Sequence, residues 1–321
     1  MARISRRRLA LGCALATMSL GVVAAGCGGD DDKSSSSGGD LKGKIAVDGS
    51  STVGPLTSAA AERFNEDNPD VDITVGTSGT GGGFEVFCKG ETDISDASRA
   101  IKDEEVAACK KGGVEYEELR VASDGITIVS GKNADLGGDG NLTKDQLKAV
   151  WGPDSKIKNW SEIPGGNFKG VKLTLAGPDS QSGTYDFFNE EVLGEDAKGD
   201  TLAPRQDYSA SADDNVIVRA VEGAEGGMGY FGYTYYEENQ DKLMAWKVDG
   251  VAPSAETITS GDYPLSRPLF IYVSKKSLQK PEVKAFVKYY LENATSLAEE
   301  TQFVPAPQDA LDKSLETLNA G

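Results

Sequence analysis

The spacing of apolar positions changes several times along this chain. Lys44–Val47 alternates as a strand does, whereas Val53–Asn68 sets Leu56, Ala60 and Phe64 on one helical face and stops at Pro69. Asp72–Val75 returns to a period of two. Gly82–Lys89 then opens a helix, Asp93–Ala97 reads as a short strand, and Asp103–Lys111 reads as a helix ended by Gly112-Gly113. Glu117–Val121 and Ile126–Ser130 form two apolar-rich runs separated by Ser123-Asp124-Gly125. A second set follows: helix Thr143–Trp151, strand Val171–Ala176, helices Thr184–Val192 and Asp214–Glu222, and strand Met228–Gly232. After Pro264 the β-prone run Leu269–Val273 precedes helices over Pro281–Glu299 and Gln308–Asn319. Strands and helices alternating in this way predict an α/β fold, with a mostly parallel sheet covered by helices.

The first forty residues stand apart from that pattern. Arg6-Arg7-Arg8 precede an uncharged apolar stretch from Leu9 to Val23, and Ala24-Ala25-Gly26 lead into Cys27. This is the pattern of a secretory signal over residues 1–26 with a lipoprotein-type cleavage site, so Cys27 is expected to carry lipid. Ser5-Arg6-Arg7 also fits twin-arginine export. Gly28–Asp40 has no large apolar side chain; it reads as a tether spanning roughly 20 Å as a flexible coil, with residues 27–40 linking the anchor to the folded body.

The body of about 280 residues is long enough for two domains. The chain carries a net charge of −18, and losing the four signal arginines makes it −22. Nucleic acid is therefore an improbable partner, and any anion site must rest on local, directed donors instead of a general positive field. Of four cysteines, Cys13 leaves with the signal and Cys27 takes lipid, so Cys88 and Cys109 are expected to pair as a disulfide. The chain contains no His, which argues against a metal site and removes the usual base of a serine hydrolase.

Three Ser/Thr/Gly runs fall where a strand should hand over to a helix: Gly49-Ser50-Ser51-Thr52, Thr77 to Gly83, and Ser180 to Thr184. Each offers hydroxyls and free backbone amides at the positive end of a helix, the donors that a small tetrahedral anion takes. The register of Gly79, Gly81 and Phe84 excludes a dinucleotide fingerprint, and no phosphate loop of the nucleotide-hydrolysing type occurs. Two of the runs precede Ala122 and one follows Gly125. This predicts a cleft between two α/β halves, with the chain crossing near Ala122–Gly125 and returning near Tyr263–Arg267. Ser98-Arg99, at the end of a strand, adds a hydroxyl and a guanidinium; an ordinary ion pair explains Arg99 equally well at this point.

The motifs DGSSTVGPL, SGTGGGFEVF, GETDISDASRAIK, GPDSQSGTYDFF, SADDN, GMGYFGYTYY and PLSRPLFIYV together resemble the substrate-binding proteins of phosphate-specific ABC importers, over nearly the whole mature chain. The resemblance implies a two-lobed, periplasmic-binding-protein-like α/β fold with mixed sheets, two hinge strands and a ligand cleft between the lobes. Lobe 1 would comprise 41–123 plus 266–321, and lobe 2 would comprise 124–265. It implies inorganic phosphate as ligand, held by Ser51, Thr52, the Val53 backbone, Thr80, Ser98, Arg99, Ser182, Gly183 and Thr184. Two positions depart from the family's pattern. Ser98 stands where better-known members place the Asp that accepts the phosphate proton, and Pro178 stands where they place an Arg. Asp214, Asp96 and Asp124 are the candidate replacements for that acceptor.

The expected function is that of a non-enzymatic, monomeric receptor without cofactor or metal. It would be lipid-anchored at Cys27 on the outer face of the cell membrane, passing phosphate to the permease subunits of an ABC importer. Binding of another, sulfate-like oxyanion, a serine-dependent hydrolase, and a surface adhesion or sensor protein are the alternatives.

Overall fold

The computed structural model describes residues 41–320; the expected signal, the lipid-bearing Cys27 and the tether lie outside the described residues. The first stretch runs β1 (Gly43–Gly49), α1 (Gly54–Asp67), β2 (Val71–Val75), α2 (Thr80–Phe87), β3 (Ile94–Ala97), α3 (Asp103–Gly112) and β4 (Tyr116–Gly131). The second runs β5 (Asn141–Leu142), α4 (Lys144–Trp151), β6 (Thr174–Gly177), α5 (Gly183–Phe188), β7 (Ser209–Ala210), α6 (Asp214–Glu222), β8 (Gly227–Gly232), α7 (Tyr233–Glu238), β9 (Leu243–Ala245), β10 (Lys247–Val248) and α8 (Ala255–Ser260). The chain ends with β11 (Ser266–Ser274), α9 (Pro281–Glu292), α10 (Ala294–Glu300), β12 (Val304–Pro305) and α11 (Gln308–Ala320).

The main sheet has the order β2-β1-β3-β11-β4-β8-β6-β7 and is mixed. β2, β1 and β3 are parallel, as are β8, β6 and β7, while β11 and β4 run antiparallel between the two sets. The mixture corrects the mostly parallel sheet expected from alternation alone.

β4 explains the central join. Its residues 116–125 pair with β11 and its residues 126–130 pair with β8, so one strand serves both sets. The sequence suggests two strands here because Ser123-Asp124-Gly125 looks like a turn. These three residues are instead buried in an unbroken strand, where Asp124 faces Arg267 and Gly125 faces Ser266. Polarity in this segment reflects specific partners and not solvent.

Two hydrophobic clusters lie on either side of that join. One takes Ile45, Val47, Leu56, Phe64 and Val121 from the first stretch, together with Leu269, Ile271, Phe286 and Tyr290 from the last. The other is drawn almost wholly from residues 126–265 and is aromatic. In it Phe188 stacks on Tyr230 at 3.9 Å between centroids, and Trp160 stacks on Trp246 at 5.2 Å. The long helix expected over Pro281–Glu299 is two helices, broken at Asn293.

Cys88 and Cys109 form the expected disulfide, joining the end of α2 to α3 across a separation of 21 residues. Closing a loop of that length stabilises by about 3 kcal/mol in the chain-entropy account. Cys88→Ser with Cys109→Ser should therefore lower the unfolding free energy from urea titration by about 3 kcal/mol; an unchanged value would show that the bond does not constrain the unfolded chain.

Candidate functional site

The first two donor runs meet at one edge of the sheet. Ser50 N–H donates to Asp96 O at 2.9 Å and Gly79 N–H donates to Gly49 O at 2.8 Å. The carboxyl ends of β1 and β3 and the start of α2 are thereby tied together. Such strand ends are where α/β sheets bind ligands, because helices begin there with unpaired amides.

Helix α1 has no acidic residue in its first turn and no side-chain cap, and the same is true of α2. By contrast, α3 opens with Asp103, Glu104 and Glu105, α4 is capped by Thr143, and α8 is capped by Ser254. In so acidic a chain, two helices without an acid in the first turn retain their positive end for an outside anion, with Asp186 meeting Ser51 and Asp48 meeting the Ser78 amide beside them.

The glycines have separate reasons. A Cβ at Gly83 would lie 2.5 Å from Gly49 Cα, so this glycine lets α2 pack directly on the end of β1. A Cβ at Gly183 would lie 2.5 Å from Thr52 Oγ1 and 2.9 Å from Thr52 Cα. The third donor run therefore touches the first, backbone against side chain.

Thr52 is buried, and its Oγ1 accepts from Arg267 Nη2 at 2.8 Å. The same nitrogen donates to Gly183 O at 3.3 Å. Arg267 Nε reaches Asp124 Oδ2 at 3.2 Å, Nη1 lies 3.6 Å from Glu190 Oε2, and the guanidinium sits 3.9 Å above the Phe187 ring. Asp124 and Arg267 are both buried. Burial pushes the Asp124 carboxyl above its ordinary value and the guanidinium pulls it back.

The remaining predicted residues divide as follows. Ser51 Oγ donates to Asp186 Oδ2 at 3.1 Å. The Val53 amide points to Ser50 Oγ at 3.4 Å. Thr80 Oγ1 and Ser98 Oγ are 3.1 Å apart, and the Ser98 amide also donates to Thr80 Oγ1. Ser182 Oγ caps α5 by accepting from Thr184 N–H, which leaves its hydroxyl hydrogen free to donate.

Arg99 borders the second donor run, its Nη2 3.9 Å from where a Cβ on Gly81 would stand. It makes a two-pronged pair with Glu105, both bonds 2.8 Å, the ordinary ion pair that spacing left open. The side chains of Asp96 and Asp214 have other neighbours. Asp214 opens α6 beside Asp213 and its carboxyl is raised to about 6 by burial first and by Asp213 second. The Asp96 side chain is on the other face of β3, toward Thr57 and Tyr290.

Arg267 was missed as a site residue by sequence reasoning. Its signal was present: one cation inside the apolar, β-prone run PLSRPLFIYV. A charge in such a strand must find a partner or a ligand.

A mixed α/β sheet with helix starts converging at strand ends is the architecture of a solute-binding protein. The chain matches the PBP superfamily domain over residues 34–294, and it belongs to that superfamily. Within it, the chain belongs with the phosphate-binding protein PstS and its relatives. It is 42% identical over 288 residues to the protein of that name from Staphylococcus saprophyticus, covering 88% of this chain and 85% of the relative. It is 44% identical over 274 residues to protein SphX of Synechococcus elongatus, covering 83% and 78%. The crystal structure of a possible phosphate binding protein from Planctomyces limnophilus is similar with a TM-score of 0.80 at 41% identity, covering 87% of this chain and 99% of that one.

Replacing Arg267 by Met leaves the buried Asp124 without its counter-ion, and should cost about 3–5 kcal/mol in urea unfolding. Adding Asp124→Asn should recover part of that loss. A single variant as stable as the parent would show that the pair is not buried in solution.

Proposed function

We propose that the chain captures inorganic phosphate between its two halves and hands it to the permease subunits of an ABC importer. The observation that carries this reading is the convergence of Thr52, Gly183 and Arg267, with Asp124 behind the guanidinium. A similar chain, at 29% identity and a TM-score of 0.55, is titled a putative phosphate ABC transporter substrate-binding protein with bound phosphate, from Clostridium perfringens. It is covered over 100% of its length by 83% of this one.

In this reading the halves are lobes, 41–123 plus 266–321 and 124–265, and the crossing strands β4 and β11 form the hinge. The ligand displaces or shares the bonds now made inside the cleft. Thr52, the Val53 amide, Thr80 and Ser98 donate from lobe 1, and Ser182, Gly183 and Thr184 donate from lobe 2. Arg267 supplies the guanidinium where the family resemblance suggested Arg99. Because both lobes touch the ligand only when closed, phosphate favours the closed form.

Asp124 is the carboxylate best placed to accept the proton of monohydrogen phosphate. It is buried beside Arg267, whereas the Asp96 side chain faces Thr57 and Tyr290 and Asp214 adjoins Asp213 at the start of α6. A fully deprotonated sulfate has no proton to offer that carboxylate, and an unpaired acceptor costs on the order of 1–3 kcal/mol. Lipid at Cys27 and the tether that follows would keep the receptor at the outer membrane face, acting as a monomer.

Equilibrium binding of labelled phosphate tests this directly. Arsenate should compete, and sulfate should bind at least about tenfold more weakly. Thr80→Val and Thr184→Val should each weaken phosphate about tenfold, the loss of one hydroxyl bond to a charged ligand. Equal affinity for sulfate sinks the phosphate assignment, and indifference to both substitutions moves the cleft elsewhere.

Gly183→Ala puts a methyl group into Thr52 and should abolish tight binding, with a loss of stability of about 1–3 kcal/mol where the clash is not relieved. Unaltered affinity would show that the two donor runs need not meet.

A further inference from the structure

Two aspartates three positions apart contrast sharply. Asp93 receives Ala46 N–H at 3.0 Å, Ser277 Oγ at 2.6 Å and Lys280 Nζ at 2.7 Å. Burial would raise its carboxyl, yet Lys280, Ser277 and the Ala46 amide together hold it below the ordinary range. Asp96 is fully buried, and neither of its side-chain oxygens has a hydrogen-bond partner at normal distance and angle among the described residues.

The groups facing Asp96 offer no positive charge. From α1 comes Thr57, whose hydroxyl is 3.0 Å from Tyr290 Oη of α9. From β1 comes Asp48, whose carboxylate is turned to the amides of Gly49 and Ser78. Across the strand pair stands Ile271 of β11. The Tyr290 hydroxyl is itself raised well above its usual value, by burial first and by Asp96 second, so it stays a neutral phenol. An ionised carboxylate here would be uncompensated, which the interior does not tolerate. Burial raises Asp96 from the ordinary 3.8 to about 8, moderated by the Thr57 hydroxyl and reinforced by Asp48.

The position of Asp96 connects it to the anion-binding edge. Its backbone carbonyl receives the amide of Ser50, the second residue of the donor run. Its side chain faces Thr57, whose amide makes the first-turn bond of α1 to Val53 O at 3.0 Å. Asp96 therefore takes the Ser50 amide with its backbone carbonyl and sets its side chain beside Thr57 in the first turn of α1. We propose that Asp96 is a positioning residue carried as the neutral acid, and that in this form it holds the Ser50–Val53 loop and α1 in the anion-binding arrangement. Ionised, it would set a negative charge beneath the positive end of α1 and oppose the ligand there. Proton and phosphate thus bind cooperatively at separate places, and by linkage each tightens the other. This inference rests on the phosphate reading of the cleft.

The sign follows from the folded value being raised. Between about pH 4 and about pH 8 the folded chain holds a proton that the unfolded chain has lost, so Asp96 makes stability fall as pH rises through that window, then level off. Asp96→Asn removes this slope, so its gain in melting temperature over the parent should grow up to about pH 8.

The decisive experiment measures the phosphate Kd of the full chain and of Asp96→Asn from about pH 6 to about 9.5, where one linked proton sets the limiting slope. Comparing the two proteins at each pH cancels the titration of phosphate itself. The wild-type Kd divided by the variant Kd should rise above pH 8 by up to about tenfold per pH unit. A ratio independent of pH overturns the inference while leaving phosphate binding intact; absence of phosphate binding at every pH overturns the cleft reading, and this inference with it. Should Asp96→Asn fail to fold, calorimetry of the wild type in buffers of different ionisation heat decides instead. Proton uptake beyond that of phosphate on binding above pH 8, with a protonated-carboxyl infrared band at neutral pH, supports the proposal. The lack of both overturns it.

Discussion

A buried guanidinium is the constraint on which the site depends. Arg267 stands in β11 where that strand crosses to pair with β4, and a cation at that depth is tolerated only with its donors occupied. Asp124 takes Nε from the facing strand, Thr52 and Gly183 take Nη2, and Phe187 covers the flat face. Those four partners come from the join, from the first donor run and from the start of α5. Satisfying one side chain therefore fixes the relative positions of elements far apart in sequence. The planar fork matters here, since an ammonium could not reach three directions while stacking on an aromatic ring.

The acidity of the chain works with this arrangement. A net charge of −18 over the whole sequence gives an incoming anion no general attraction. What remains is directional: the uncapped starts of α1 and α2, a few hydroxyls, and one guanidinium already balanced by Asp124. Helices α3 and α4 carry acids in the first turn, and α4 a side-chain cap, although α7 and α10 have neither. The helices that face the cleft from the first half lack them.

Much of this was legible in the sequence, and the exceptions share a cause. Periodicity located α1, α2, α3, α6 and the parallel strands other than β7, because each has one face against a core. β4 read as two strands because Ser123-Asp124-Gly125 looks like solvent-exposed turn chemistry, when its polarity is consumed by Arg267 and by Arg120, which donates to Ser123 Oγ. Arg99 looked like the ligand's guanidinium because it adjoins Ser98, yet Glu105 lies one loop away and takes both of its prongs. Arg267 was overlooked because it is distant in sequence from every donor run. Local patterns report local partners. The pairing of an arginine with an aspartate 143 positions away belongs to topology.

The carboxylates make the same point in terms of protons. Asp93, Asp96 and Asp124 all sit in or beside strands of one sheet, all are buried, and all are chemically identical in the unfolded chain. Three donors including Lys280 keep Asp93 charged. The guanidinium of Arg267 opposes the burial of Asp124. Asp96, with no counter-ion facing it, is pushed toward the neutral acid. Each state follows from how many donors the fold brings within reach, weighed against a desolvation cost of several kcal/mol per buried charge. The segment DISDAS carries two of these aspartates three residues apart and gives no hint which one is charged. The answer lies in which face of β3 each side chain takes and in what the opposing helix presents there: at Asp93 a lysine near the start of α9, at Asp96 a threonine and a tyrosine.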